Sequence, residues 1–359
     1  MLYISKKYSK KMKTSKVLLL LIIPSIFIFS CKKKEDKKGC TDSSAQNYNA
    51  DATIDDASCT YAYNASTEYN AAESASGNMT TAAYEDVMLF TSVQYETDND
   101  QALHKMLSQT VTPIPSCASI NTSLVGIGLW PKKLTIDYGN SNCLCDDGKY
   151  RRGKVEAIIN DNWLTSGGGV KDSMTITLVN YYVNDTMLTG TRTFIKESAS
   201  ASKLVVSAVV IDAGVIYPSN DTIKWNYTGS LTLGFGDKLD YTDNTVGLFI
   251  NGSIDNKGTV YTVETPDTLS AVLSCLSTCI FTKGTLKLST TDAETVHLGN
   301  KDYQANVTTT GTLNFGTGTC DGSIDLSLNV TGIEVTNSKQ LFSETTTETM
   351  TCDDFTDWE

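Results

Sequence analysis

Ten cysteines, two histidines and 41 carboxylates are the side chains of this 359-residue chain with the means for covalent or metal chemistry. The histidines, His104 and His297, are too few for a histidine metal centre or a nucleophile–base pair. His104 sits beside Lys105 within a stretch of helical period and reads as a surface or cap residue, and His297 lies in the alternating run Thr295-Val296-His297-Leu298 and reads as a sheet-face residue. Cys143-Leu144-Cys145 and the Cys275/Cys279 pair are shaped like zinc half-sites. Tetrahedral zinc asks for two Cys-x2-4-Cys pairs or added histidines, and here the first pair is too tight and no histidine stands near either. Disulfides or inert thiols are the expected state. The chain has no Gly-x-Ser-x-Gly, His-Glu-x-x-His, phosphate-loop or Gly-x-Gly-x-x-Gly motif. Two carboxylates suffice for glycoside hydrolysis, but nothing in the sequence singles out a pair, so no catalytic residue is assigned. Arg151, Arg152 and Lys154 beside Tyr150 form the densest basic spot of the body, readable as an anion-binding patch or as a solvated strand face.

Residues 39–61 read GCTDSSAQNYNADATIDDASCTY. This segment resembles a short repeat of secreted bacterial proteins that is similar to thrombospondin type 3 calcium repeats. Both cysteines, Asn47-Tyr48-Asn49, Asp55-Asp56 and Tyr61 stand in place, while Ala57 replaces a glycine. The resemblance implies a Cys40–Cys59 disulfide and a calcium ion. Closing that 18-residue loop constrains the unfolded chain by about 3 kcal/mol, and the loop holds too little apolar material for its own core. Asp42, Asn49, Asp51, Asp55 and Asp56 supply the hard oxygens that calcium prefers. The alternating acidic spacing of an EF-hand loop is missing, so a disulfide-closed acidic loop without metal is the competing reading.

Six lysines in residues 6–16 precede an apolar run from Val17 to Phe29, which is too short to span a bilayer and fits a signal-peptide core. Ile28-Phe29-Ser30-Cys31 resembles a bacterial lipobox, which implies removal of residues 1–30 and lipidation of Cys31. Two or more acyl chains there anchor a protein stably. Residues 31–38 read as a charged tether. Lipoproteins of Bacteroidota carry a short charged surface-export signal at this place, and Glu35-Asp36 resembles it. The expected address is the outer membrane, at the cell surface or otherwise on its periplasmic face, with the membrane as partner through the anchor.

The elements that must position these residues follow from periodicity. Residues 62–83, rich in Ala, Ser, Asn and Thr, read as a linker. Tyr84, Val87, Met88, Thr91 and Tyr95 recur at helical steps, which predicts one short N-terminal helical segment between about Ala83 and Leu107. From Ile120 the period is two. Met174-Thr175-Ile176-Thr177-Leu178 turns at Asn184-Asp185 into Leu188–Ile195. Ile223, Trp225 and Tyr227 alternate with polar residues, and Leu248–Ile254 turns through Asp255–Gly258 into Thr259–Val263. About twelve to sixteen antiparallel strands are expected. The fold class is mainly all-β: a large antiparallel meander sheet, sandwich or barrel-like roll over residues 84–359. Ile136-Asp137-Tyr138-Gly139 with Cys143 is echoed by Leu313-Asn314-Phe315-Gly316 with Cys320, as paired ligand loops or as recurring turn corners held by disulfides.

Three segments, PKKLTIDYG…DGKYRRGKV, MTITLVNYYVNDTMLTGTRTF and TGTLNFGTGTCDG, resemble a family of uncharacterised Bacteroidota lipoproteins with a short helix before a long β region. That resemblance implies fold and location and no chemistry. Residues 39–359 hold 18 Lys and Arg against 39 Asp and Glu, a charge that repels phosphate backbones and argues against nucleic-acid partners. A lipid-anchored, non-enzymatic β body that binds a glycan or protein, or serves structurally, is the leading expectation. Trp130, Trp163 and Trp225 are its candidate contact residues. A carbohydrate-active hydrolase using paired carboxylates is the alternative.

Overall fold

A computed structural model describes residues 36–97, 117–145, 148–161, 172–200, 202–235, 243–275 and 281–352. Cys31 with its lipobox, the signal peptide, His104, Trp163 and Cys279 lie outside the described residues. Two short parallel strands, β1 (Lys38–Gly39) and β2 (Ile54–Asp55), pair within the disulfide module. The helix α1 (Ser66–Thr97) comes next. The β body then comprises β3 (Ser119–Leu124), β4 (Lys132–Asp137), β5 (Cys143–Leu144), β6 (Tyr150–Ile159), β7 (Ser173–Val183), β8 (Thr186–Ala199), β9 (Lys203–Ile216) and β10 (Thr222–Gly234). It continues with β11 (Thr245–Asn256), β12 (Thr259–Val272), β13 (Lys283–Leu298), β14 (Lys301–Thr317), β15 (Ser323–Glu334) and β16 (Gln340–Thr351).

All fourteen strands from β3 to β16 join one antiparallel sheet in which neighbours in sequence are neighbours in space, with β5 off the main path on β6. Two expected hairpins close on two-residue turns. Asn184 and Asp185 take φ of 47° and 66°, Lys257 and Gly258 take 55° and 99°, and such turns match the twist of the flanking strands. The sheet does not close, so β3 and β16 are its edges.

The sheet curls around α1. One apolar cluster contains helix residues together with Leu134 of β4, Phe194 of β8, Leu248 of β11 and Leu328 of β15. Register shifts between Arg152 and Lys154, Thr189 and Thr191, and Trp225 and Tyr227 add the local bends that curvature requires. At the first two bends sit Gly153 and Gly190, with φ of +88° and +94°; a Cβ there would collide with the Asn180 carbonyl or the Ala213 backbone.

The helix differs from the sequence reading. It starts at Ser66, inside the segment read as linker, and runs 32 residues. Residues 79–83 are all buried, more than one full turn of 3.6 residues, so this stretch presents no side to solvent. A helix enclosed all round shows no amphipathic period. Its girth is kept small by Ala72, Ala75, Ser76, Ala82 and Ala83. Along the chain its partners move steadily across the sheet. Ser76 lies against Gly311 of β14, Asn78 donates to Asn256 of β11 (2.9 Å), Asp86 meets β8 and β10, and Phe90 packs on Phe194 of β8 at 4.6 Å. The helix therefore runs across the strands, and its length of about 48 Å matches roughly ten strands at 4.8 Å spacing.

A buried polar knot fixes this crossing. The Asp86 Oδ1 accepts from Arg192 Nε (2.7 Å) and its Oδ2 from Trp225 Nε1 (3.0 Å). Arg192 and Asp86 side chains are 0% and 1% exposed. Arg192 Nη1 donates to the Thr189 carbonyl (2.5 Å), and the Tyr227 hydroxyl also bonds to Asp86.

The module at 39–61 is docked on the sheet and not set apart. Cys40, Cys59 and Tyr61 share a second core with Val296, Leu298, Val307 and Leu341. Tyr61 N donates to the Leu341 carbonyl (3.3 Å), and Tyr63 stacks on Phe342 at 4.0 Å. Residues 62–65 are all that separate it from the helix.

Removing one partner of a buried pair strands the other. Arg192→Ala or Asp86→Ala is expected to cost about 3–5 kcal/mol in urea unfolding, and the double variant Asp86→Leu/Arg192→Met markedly less than the sum of the two.

Candidate functional site

The disulfide module has the expected closure: Cys40 and Cys59 are bonded, with Cα atoms 4.7 Å apart. Its carboxylates are occupied within the module. Asp42 Oδ1 accepts from the Ser44 N–H (2.9 Å) and hydroxyl (2.6 Å), and its Oδ2 accepts from the Tyr61 hydroxyl (2.8 Å). The Ser44 bonds lower the Asp42 pKa to about 2. Asn49, Asp55 and Asp56 each accept from the N–H two residues on, closing a turn, and Asp51 pairs with Lys37 at 3.1 Å. Among the described residues, no three of Asp42, Asp51, Asp55 and Asp56 bring an oxygen within 4.8 Å of one another. Calcium takes six to eight converging oxygens, and in this structure Asn49, Asp55 and Asp56 serve as turn caps, so the calcium reading rests on the resemblance alone.

A cluster absent from the sequence reading forms where the helix begins. Glu68 of its first turn receives the Tyr63 hydroxyl on Oε1 (2.7 Å), while its Oε2 is buried without a hydrogen-bond partner. Glu294 of β13 has its pKa raised, first by burial and then by the charges of Glu68 and Asp292. Tyr63, Tyr69 and Tyr261 have their hydroxyl pKa values raised, chiefly by burial and further by Glu68. Glu294 is exposed on β13, so the cluster presents two carboxyl groups that feel each other, one biased toward its acid form, beside tyrosines. Glu68 and Glu294 belong to elements far apart in sequence, and only the wrapping of the sheet brings them together.

The basic spot is consumed internally. Arg152 pairs with Asp185 and stacks on Tyr182 at 3.7 Å, Arg151 Nε donates to the Tyr181 hydroxyl (3.2 Å), and Lys154 meets Asp137 at 2.8 Å. Glu85 of the helix lies within electrostatic reach of Lys149 and Arg151, and burial raises its pKa. Trp225 is fully buried, which removes it as a contact residue. His297 is exposed and pairs with Asp302 across the hairpin at 2.7 Å.

Trp130 is half-buried and packs against the main apolar cluster. It ends the β3–β4 connection Val125-Gly126-Ile127-Gly128-Leu129-Trp130-Pro131, with the Lys132 ammonium 4.3 Å from its ring. Ile127 and Leu129 are 109% and 79% exposed. The other short turns are built from polar or glycine residues, such as Asn184-Asp185, Lys257-Gly258 and Gly299-Asn300. This tip gathers three exposed large apolar residues, Val125, Ile127 and Leu129, whereas the β15–β16 turn exposes Val335 among polar neighbours.

The echoed corners are structural. Asp137 and Asn314 each accept from the glycine N–H two residues on (2.9 Å in both), Gly139 and Gly316 take φ of +78° and +82°, and Cys143 and Cys320 are tied to Cys117 and Cys275. Cys352 is disulfide-bonded too, and Cys145 is a buried free thiol. Cys117, Cys143 and Cys145 place their sulfurs within 4.8 Å of one another.

No protein-family model, curated protein or solved structure matches this chain.

Because the module holds itself by its disulfide and turn caps, the melting temperature is expected to be the same in EDTA and in millimolar calcium by scanning calorimetry. A raised carboxyl pKa in the fold stabilises at pH values below the unfolded pKa, and this contribution is lost as pH rises through the folded value. Glu294→Gln is therefore expected to be more stable than the parent at pH 7 and to lose that advantage near pH 4, as read from urea midpoints at the two pH values.

Proposed function

We propose that the chain is an exported lipoprotein, acylated at Cys31 and held at the outer membrane, whose β body is a non-enzymatic binding element. The lipobox, the signal-peptide core and the resemblance to uncharacterised lipoproteins of Bacteroidota support the address. The binding role is carried by one observation, the apolar β3–β4 tip with Ile127 and Leu129 held out in solvent beside Trp130. Monomeric folds seldom expose apolar side chains together at a turn without a partner for them. The acidic body leaves nucleic acid out of the partner list and favours a glycan or a protein.

A second reading rests on the Glu68–Glu294 pair. Glu294, with its raised pKa, would give a proton to a leaving oxygen while Glu68, oriented by the Tyr63 hydroxyl, would be the second carboxyl of glycoside hydrolysis.

Protease shaving of intact cells carrying a tagged chain tests the address: a body outside loses its tag, and a body on the periplasmic face keeps it. Ile127→Asp/Leu129→Asp is expected to abolish binding in a glycan and surface-protein screen while leaving the melting temperature unchanged. Release of reducing sugar by the parent, lost in both Glu68→Gln and Glu294→Gln, would replace the binding reading with the hydrolase.

A further inference from the structure

The three sulfurs beside β5 form an arrangement that neither reading of the β body uses. Cys143 is bonded to Cys117, and the Cys145 sulfur lies 3.8 Å from the sulfur of Cys117. Cys145 is 4% exposed, whereas Cys143 is half-buried and the intervening Leu144 is 57% exposed. Cys143 and Cys145 share one side of an extended segment, as residues two apart do. The backbone holds that segment in place: Cys145 N donates to the Lys149 carbonyl and Gly148 N to the Cys145 carbonyl, both at 2.9 Å. A free thiol is thus stationed at van der Waals range from a disulfide, on a scaffold that puts the sulfurs of both cysteines flanking Leu144 beside that of Cys117.

We infer that Cys145 exchanges with the Cys117–Cys143 disulfide, so that the reactive thiol of this protein emerges at the surface as Cys143. The Cys145 sulfur, as thiolate, attacks the Cys117 sulfur. A Cys117–Cys145 bond forms as the Cys117–Cys143 bond breaks, and the bonding electron pair leaves on the Cys143 sulfur. The proton given up by Cys145 ends on Cys143, so no outside oxidant or reductant is consumed. The buried thiol is thereby tied up in a disulfide with Cys117, and the half-buried Cys143 becomes free to react. The ligands it would take are thiol-reactive groups: an external disulfide, by a second exchange, or a soft electrophile. The inference is independent of what the β body binds.

The test is alkylation of the native full chain with iodoacetamide in the absence of reductant, followed by unfolding, digestion and disulfide mapping by mass spectrometry. The expected result is carbamidomethyl-Cys143 together with a Cys117–Cys145 peptide. In Cys145→Ser, labelling of Cys143 should fall by about tenfold or more, because no internal nucleophile remains to release it. In Cys143→Ser, a Cys117–Cys145 bond should form. The Cys145→Ser comparison stands by itself if the second variant fails to fold. Label on Cys145 alone with Cys117–Cys143 as the only linkage, or no label at any of the three cysteines, overturns the inference.

Discussion

A helix enclosed by a single curled sheet must be thin, and any charge it carries must be met inside. Both conditions hold where α1 carries Asp86. Its small side chains let strands approach from several directions, and Asp86 gathers Arg192, Trp225 and Tyr227 from two strands that are not adjacent. The pair is costly to bury, and a well-packed apolar substitute would match its stability. It supplies register instead, because only one rotation and one axial position of the helix place Asp86 between β8 and β10. The curl of the sheet, the approach of Glu68 to β13 and the docking of the disulfide module all follow from where the helix lies.

The strands were legible because half-buried strands carry a period of two and their turns demand Asn, Asp or Gly. Asn184-Asp185 and Lys257-Gly258 fall where that chemistry puts them. The helix from Ser66 to Ala83 was not legible. Ala, Ser, Gly and Thr signal flexibility in an exposed segment and close packing in an enclosed one, and the composition is the same in both. The disulfide of the module was legible from its bracketing cysteines. The fate of Asp42, Asn49, Asp51, Asp55 and Asp56 was not, because capping a turn and coordinating a hard cation use the same oxygens. The Glu68–Glu294 pair and the Cys117–Cys143–Cys145 group depend on the paths of distant elements, which no local pattern encodes.

The electrostatics of the body separate net charge from local charge. The chain is strongly acidic, yet cations on β4, β6 and β13 are matched across strands: Lys133 with Glu156, Lys154 with Asp137, and Lys287 with Glu264. Exposed pairs of this kind add little stability. Among the described residues they tie cations on three strands to acids, and the features that stand out there are apolar, at the β3–β4 tip, and tyrosine-rich, at the start of the helix.

The path of the sheet imposes an order of assembly. Each long strand pairs with the one before it, so hairpins form from close contacts and the sheet grows from one side like a rolled mat. The helix that fills the roll is made first, and its partners on β14 and β15 are made last. Until those strands arrive, α1 must wait uncovered. The end of the helix that meets them, around Ala72, Ala75 and Ser76, carries small side chains, whereas the larger Phe90 packs on β8, a strand made earlier, so the segment left bare longest offers little apolar surface.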